Sequence, residues 1–195
     1  MRLPRIDVEL PAWLGDALPD DPERPFGGDG ERMAWAVDLA RENVRRETGG
    51  PFAAAVFDRE RGTLVAPGVN LVVGQRSSVL HAEVVALMAA QRRLGSHDLA
   101  APGLPDCELV ATAEPCAMCY GAVPWSGVTR LVCGARSEDA RAVGFDEGEK
   151  PEDWPAALER RGIEVARDVG RAEARAVLEA YAESGGPIYN SSRGS

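Results

Sequence analysis

Two short motifs constrain this chain most strongly, because their side chains are expected to meet at one place in the fold. His81-Ala82-Glu83 is followed, 35 residues after His81, by the segment Pro115-Cys116-Ala117-Met118-Cys119. Both segments are expected to begin helices, and one helical turn places the two cysteine sulfurs on the same side. Imidazole nitrogen and thiolate sulfur are ligands that zinc prefers. His81, Cys116 and Cys119 are therefore predicted to hold Zn²⁺.

Glu83 lies two residues after His81, and in the first turn of a helix these two side chains diverge. A catalytic zinc site takes three protein ligands and leaves the fourth position to water, whose pKa falls toward roughly 7 on the metal. The expected chemistry is attack of a zinc-bound hydroxide on an amine-bearing carbon. Glu83 would carry the proton to a ring nitrogen and then to the departing ammonia. The pattern H-x-E…P-C-x-x-C is the signature of zinc-dependent deaminases.

A structural zinc site is the alternative interpretation of these motifs, and it would make the chain a catalytically silent scaffold. Such a site has four protein ligands, and Cys107 and Cys133 are the remaining cysteines. Both are flanked by strand-like sequence, where cysteines are more often simply buried. Glu83 favours the catalytic interpretation, because a structural site has no use for a free carboxylate at that position.

Hydrophobic periodicity and glycine or proline breaks divide the chain into alternating helices and strands. The predicted helices are residues 31–46, 81–94, 116–126 (ended or kinked by Pro124), 154–161 and 171–183, and the predicted strands are 53–57, 63–73, 108–113, 129–133 and 163–166. This order predicts an α/β fold of three layers, with a central mixed five-stranded sheet covered by helices on both faces. Residues 1–30 are predicted to be an N-terminal arm, 31–184 the zinc deaminase domain, and 185–195 a C-terminal tail.

Composition and charge limit the partners of the chain. The formal net charge is −9, and the basic residues are interleaved with acids, whereas nucleic-acid binding depends on clustered Lys and Arg. A small-molecule substrate is therefore expected and nucleic acid is not. No apolar run approaches the roughly 20 residues that span a bilayer, and the N-terminal residues lack the apolar core of a secretory signal. We expect a cytoplasmic protein with no membrane partner.

Further segments make the chain resemble the cytidine deaminase-like superfamily and, within it, the bacterial guanine deaminase branch, which includes members that accept the triazine ammeline. The superfamily-wide motifs are Gly49-Gly50-Pro51-Phe52-Ala53-Ala54, Asn70 and the two metal motifs. The narrower motifs are Trp125-Ser126-Gly127-Val128, Gly144-Phe145-Asp146-Glu147-Gly148 and Ile188-Tyr189-Asn190. The similarity covers nearly all of the chain from about residue 30 onward.

The resemblance implies a role for several residues around the substrate. Asn70 and the backbone around Ala82 would form hydrogen bonds with the base. Aromatic walls would come from Phe52, Trp125 and Phe145. From the residues alone, Phe52 and Trp125 are about equally consistent with packing, whereas a polar residue such as Asn70 in an apolar strand needs a partner.

The resemblance also implies a second acid and a lid. Glu147 would read the guanine edge and help to move protons, although an acidic residue in a glycine-flanked loop is usually only solvated. Relatives in this branch are dimers, often with the C-terminal segment exchanged or capping the site. Tyr189 or Asn190 would then be a lid residue, and the chain would form a homodimer.

The leading hypothesis is hydrolytic deamination of guanine to xanthine and ammonia, a reaction of purine metabolism. The alternative is another amino heterocycle: ammeline or another triazine, cytosine, a pterin or a modified nucleoside. One or two pocket residues decide between such substrates, because selectivity depends on individual hydrogen bonds. A tRNA adenosine deaminase has the same zinc motif and is disfavoured by the net charge of −9.

Overall fold

The computed structural model describes residue 3 and residues 5–190, and its centre is one mixed sheet with the strand order β2-β1-β3-β4-β5. The strands are β1 (Ala53–Asp58), β2 (Leu64–Val69), β3 (Cys107–Ala113), β4 (Arg130–Ala135) and β5 (Glu164–Ala166). The helices are α1 (Trp13–Asp16), α2 (Gly28–Arg45), α3 (Val72–Gln75), α4 (Ala82–Leu94), α5 (Ala117–Ser126), α6 (Ser137–Ala142), α7 (Trp154–Glu159) and α8 (Arg171–Glu183).

Strand β1 pairs antiparallel with both of its neighbours, and β3, β4 and β5 run parallel to one another. Every residue of β1, β2 and β3 is buried, because helices cover both faces of the sheet. Ala53, Ala55 and Phe57 of β1 belong to the core shared with α2 and α8. Ala54 and Val56 point to the other face and pack with α4, α5 and α7. The predicted three-layer α/β fold with a mixed five-stranded sheet is confirmed.

Several predicted boundaries were wrong for identifiable reasons. Strand β2 ends at Val69 rather than at residue 73, because Asn70 Oδ1 accepts a hydrogen bond from Val72 N–H (3.3 Å) and the chain turns into α3. Helix α5 ends at Ser126, the predicted residue, but Pro124 does not end it; Gly127, which follows, has a φ of 85°. Helix α6 was not predicted, and α2 begins at Gly28, before the predicted start at residue 31.

The N-terminal arm is attached to the body by Trp13 and Leu14, which are both buried. The indole N–H of Trp13 donates a hydrogen bond to Thr48 Oγ1 (3.1 Å). Residues 1, 2 and 4 of the predicted arm, and residues 191–195 of the predicted tail, lie outside the described residues. Within the described part of the chain, no helix combines the length and the apolar character needed to cross a bilayer.

A buried ionic cluster joins the start of α2 to the sheet. Glu108 of β3 is completely buried and forms ion pairs with Arg32 and Arg130, the latter at 2.8 Å. Arg130 also donates two hydrogen bonds of 2.7 Å to the carboxylate of Asp29. A buried carboxylate is tolerated when it is paired and hydrogen-bonded, and here two guanidinium groups supply the partners.

Candidate active site

The three predicted metal ligands meet where α4 and α5 begin. His81 and Cys116 each occupy the position immediately before the first helical residue, with extended backbone angles. One ligand atom from each of His81, Cys116 and Cys119 lies within 4.8 Å of the other two, and His81 Nδ1 is 3.4 Å from Cys116 Sγ. One nitrogen and two sulfurs that converge in this way form a donor set suited to zinc. The geometry therefore fits Zn²⁺, with three protein ligands as a catalytic site requires.

Close packing of α4 on the sheet places His81. A Cβ on Gly68 of β2 would collide with the backbone of Ala82 and Ala86, so only glycine allows α4 to approach β2 this closely. The approach brings the first turn of α4 near the carboxyl end of β3, from which the chain leads into Cys116. Helix N-termini carry a partial positive charge, which favours the thiolate form of a nearby cysteine.

The ionisation of the two cysteines is coupled. Hydrogen bonding from Cys119 and then from His81 lowers the pKa of Cys116 to about 4. The same hydrogen bond to Cys116, together with burial, raises the pKa of Cys119 well above its ordinary value. Zinc binds both sulfurs as thiolates, so metal binding releases the proton that a thiol carries.

Glu83 is buried and faces the same cavity as the ligands. Burial raises the pKa of the Glu83 carboxyl above its ordinary value, and the negative charge of Cys116 acts in the same direction. A carboxyl group whose pKa is raised holds a proton more readily, so it can take up a proton and give it back within one reaction cycle. Glu83 therefore has the location and the environment of a proton carrier.

The site opens into a cavity of about 300 Å³, a volume within the range of small-molecule sites. It is lined by Phe52, Asn70, Ser78, His81, Glu83, Ala113, Glu114, Cys116, Ala117, Met118, Phe145, Asp146, Glu147, Gly148, Tyr189 and Asn190. Sequence analysis predicted many of these residues, although they come from segments far apart in the chain.

Aromatic rings form one wall of the cavity. The rings of Phe52 and Phe145 meet edge to face, with centroids 4.9 Å apart, and the ring of Tyr189 lies 5.3 Å from that of Phe145. Phe145 is almost completely buried, so this wall is held in place by the core beneath it. A planar ring can pack against such a surface.

Asn70 lines the cavity and is fixed by its surroundings. Its Oδ1 accepts the hydrogen bond from Val72 that turns the chain after β2. Its backbone carbonyl accepts a hydrogen bond of 2.9 Å from Nδ2 of Asn43, which also donates to the carbonyl of Gly50 at 2.9 Å. Sequence analysis missed Asn43. A polar side chain on the apolar stripe of α2, completely buried, was the signal that could have identified it.

Glu147 lies in the cavity and not in solvent. Its side chain is 6% exposed, and its backbone carbonyl accepts a hydrogen bond of 2.8 Å from Ala117 N–H at the start of α5. Burial, followed by the negative charge of Cys116, raises the pKa of Glu147 to about 7. Among the described residues, its buried Oε2 has no hydrogen-bond partner. A buried unpaired oxygen of this kind is costly, so it points to a ligand.

The segment from Ile188 to Asn190 covers the cavity of its own chain. The buried hydroxyl of Tyr189 has no hydrogen-bond partner within the described range, and burial raises the pKa of this phenol. The Asn190 side chain accepts a hydrogen bond from Asp146 N–H and donates one to the carbonyl of Gly144, both 2.8 Å. The tail is thereby tied to the loop that carries Glu147, while exchange of the tail between subunits remains a prediction.

One predicted substrate contact is not part of this cavity. Trp125 is 83% exposed near the far end of α5 and lines a separate surface depression with Met88. The prediction of an aromatic wall from Trp125 is corrected accordingly, because more than two helical turns separate it from Cys116. Ala82 is buried against the α4 face of the sheet, while its neighbours His81 and Glu83 line the cavity. Hydrogen bonding of the base by the backbone around Ala82 therefore stays a prediction.

Comparisons with known proteins agree with this geometry. The family model for the cytidine and deoxycytidylate deaminase zinc-binding region matches residues 28–135. The guanine deaminase of Bacillus subtilis (strain 168) is 38% identical over 112 residues, which are 57% of this chain and 67% of that protein. A solved structure of guanine deaminase from Nitrosomonas europaea is 49% identical with a TM-score of 0.87, covering 92% of this chain and 97% of that chain. A solved structure of the protein NE0047 in complex with 2,6-diaminopurine is 50% identical with a TM-score of 0.88. The match covers 94% of this chain and 96% of that chain.

Proposed function

This chain belongs to the cytidine and deoxycytidylate deaminase zinc-binding family, and we propose that it is a guanine deaminase, which converts guanine and water into xanthine and ammonia. The observation that carries this proposal is the presence in one cavity of the His81, Cys116 and Cys119 ligand set and two buried carboxyl groups, Glu83 and Glu147. The similarity to the guanine deaminase of Nitrosomonas europaea over 92% of the chain supports guanine over other amino heterocycles.

His81, Cys116 and Cys119 would hold zinc, which would supply an activated water molecule as the nucleophile. Glu83 takes a proton from that water and delivers it to the ring nitrogen beside the amine-bearing carbon. A carbon–oxygen bond forms. Glu83 then takes the proton of the hydroxyl group on that carbon and passes it to the exocyclic nitrogen, and the carbon–nitrogen bond breaks as the carbonyl of xanthine forms. Nitrogen departs as ammonia, so the carboxyl group of Glu83 returns to its initial state.

Glu147 supplies the recognition that distinguishes guanine. The purine presents several N–H donors, and the free buried Oε2 of Glu147 is an acceptor without a protein partner in the described chain. A buried acceptor of this kind rejects a base that lacks the matching donor, because its oxygen would then remain unpaired. A pKa of about 7 also allows Glu147 to exchange a proton with the bound base near neutral pH.

The remaining cavity residues orient the ring. Asn70, which is held rigidly by Asn43 and by the turn into α3, offers side-chain hydrogen bonds to the base. Phe52 and Phe145 pack on the ring, and Tyr189 limits the depth of the site on the side of the tail. Exclusion of water by this covering strengthens the electrostatic interactions within the site.

The homodimer expected from the resemblance is a second part of this proposal. The surface depression beside Trp125 contains no charged residue, although the chain carries a net charge of −9. It is lined by Val84, Leu87, Met88, Gln91, Ala122, Trp125 and Ser126. An exposed apolar face on a highly charged protein indicates an interaction surface, and a second copy meets it without repulsion at its centre.

The cytoplasmic location expected from the sequence is also a proposal.

Sedimentation velocity tests the dimer separately from the chemistry. We expect the native chain to sediment as a dimer at micromolar concentration and Trp125→Glu to sediment as a monomer. Val73→Glu is the matched control, since Val73 is also exposed, at 46%, but lies on α3 away from this depression. A monomeric native chain, or an unaffected Trp125→Glu variant, would contradict the interface.

Ammonia release by the zinc-loaded protein tests the substrate. The panel is guanine, guanosine, adenine, cytosine and ammeline, with Glu83→Gln as the blank. We expect turnover of guanine and none of guanosine, because a cavity of about 300 Å³ closed by Tyr189 leaves little room for a ribose. Turnover of another base with no reaction of guanine would retain the deaminase chemistry and refute the assignment of the substrate.

A further inference from the structure

Lys150 is the only lysine of the chain, and every other one of the 22 basic residues is an arginine. It lies partly buried beneath the start of α5. Its Nζ donates hydrogen bonds to the carbonyl of Pro115 (2.6 Å) and to Ser137 Oγ (2.7 Å). It also lies 4.9 Å from the ring centroid of the buried Trp154. This ammonium group is therefore held by specific contacts and is not a solvated surface charge.

The surroundings of Lys150 suit an ammonium group better than a guanidinium group. Lysine presents three donors from one compact atom, whereas arginine presents a planar fork. Ser137 Oγ, which accepts from Lys150, itself donates to Glu114 at 3.1 Å, and Glu114 also pairs with Arg167. Burial lowers the pKa of Lys150, while the negative charges of Glu147 and Glu114 act in the opposite direction.

Lys150 joins two segments that carry functional groups. Pro115 immediately precedes the ligand Cys116, and Glu147 lies three residues before Lys150. A second connection lies beside the first, since Ala117 N–H donates to the carbonyl of Glu147 at 2.8 Å. Gly148 has a φ of 64°, and a Cβ there would come within 2.9 Å of the Ala117 Cβ. The loop carrying Glu147 is therefore held tightly against the backbone of the metal-binding segment.

We propose that Lys150 is a positioning residue for the deamination: its ammonium group holds the loop that carries Glu147 at a fixed place relative to Cys116. This inference rests on the proposed function, since it requires Glu147 to contact the base. Lys150 does not line the cavity and acts only through Glu147. Loss of such a support misplaces a buried group, and misplacement reduces turnover even where the metal ligands are intact.

The test compares zinc-loaded Lys150→Met with the native chain, and with Glu149→Gln as a control at the exposed neighbouring position. We expect Lys150→Met to lower kcat on guanine by about 10- to 100-fold while one zinc per chain is retained. We expect the control to change kcat by less than about twofold, as a surface substitution away from the site does. Lys150→Gln, which keeps a donor, should lose less, and it replaces Lys150→Met if that variant does not fold.

A double-mutant cycle separates positioning from a merely structural role. In a Glu147→Gln background, Lys150→Met should lower kcat by less than about twofold, since residues that act as a unit are not additive. An equal fold-loss in both backgrounds, an unchanged kcat in the single variant, or a loss of zinc that accounts for the whole effect would overturn the proposal.

Amide hydrogen exchange gives a readout that does not depend on the substrate. In the zinc-loaded protein, Lys150→Met should accelerate exchange in the peptide that covers residues 144–150 and at the amide of Ala117, while exchange in β3 stays unchanged. If the native chain releases no ammonia from guanine but exchange responds in this way, the assignment of the substrate fails and the positioning contact stands. Unchanged exchange in this loop would refute the contact itself.

Discussion

Substitution of Glu147 by glutamine should lower activity and raise stability in the same protein. The change removes the charge and leaves the shape of the side chain almost intact. In the native chain Oε2 is buried without a partner in the described residues, and we expect it to accept a hydrogen bond from the bound base. A hydrogen bond to a charged acceptor contributes about 1.5 to 3 kcal/mol, which corresponds to a loss in kcat/KM of roughly 10- to 150-fold.

The gain in stability follows from the direction of the pKa change. Glu147 has a pKa of about 7 in the folded chain against an ordinary value of 4.5, so between these values the folded state binds more protons than the unfolded state. Native stability therefore falls as pH rises through this window. Each pKa unit corresponds to about 1.4 kcal/mol. Relative to the native chain, Glu147→Gln should gain stability between pH 5 and pH 8, by at most about 2 to 3 kcal/mol, because bound zinc offsets the negative charge of Cys116 that contributes to this pKa.

Urea unfolding of both proteins at pH 5 and pH 8, at one zinc concentration, measures this gain. The comparison at each pH cancels the pH dependence of metal binding, which both proteins share. Steady-state kinetics on guanine measure the expected loss in kcat/KM. A variant that loses activity without any pH-dependent gain in stability would refute the account of Glu147 as a desolvated carboxyl group held for the substrate.

Three further substitutions test other parts of the structure. Cys119→Ser should lower zinc content from one per chain to a small fraction and abolish turnover, as measured by metal analysis and ammonia release. Asn43→Ala should leave two buried carbonyls without their donor, and urea unfolding should show a loss of about 2 to 4 kcal/mol. Asp29→Asn should cost about 1 kcal/mol at pH 7. Since Arg130 lowers the pKa of Asp29, that cost should disappear as pH falls below 3.8, which acid titration of the two proteins would reveal.

The fold and the metal site could largely be predicted because their signals lie in local apolar patterns and in residue types that few functions use. Alternating apolar segments located the five strands, and the spacing of His81, Cys116 and Cys119 carried the zinc chemistry. Both depend on residues that are close in sequence or on donor types with few alternatives. The end of β2 was misplaced because Asn70 caps a turn that an apolar run conceals.

The hydrogen bonds that hold the loops of the site in place could not be predicted, because they join segments with no shared sequence pattern. Lys150 reaches Pro115 across 35 residues and Asn43 reaches the carbonyl of Asn70 across 27, and no local pattern specifies either contact. For Trp125, by contrast, a contact with the substrate was predicted that the structure does not show. Its motif suggested a role at the substrate, whereas the geometry of α5 places it on the outer surface. The role of Glu147 was suggested only by resemblance, and its burial and unpaired oxygen now give that role a physical basis.

The most direct test of the central claim is the formation of xanthine from guanine by the native chain and by Glu83→Gln, with zinc measured in both. We expect one zinc per chain in each protein, equal amounts of xanthine and ammonia from the native chain, and no xanthine from Glu83→Gln. Undiminished xanthine formation by a zinc-loaded Glu83→Gln variant would contradict the assignment of Glu83 as the group that moves the protons.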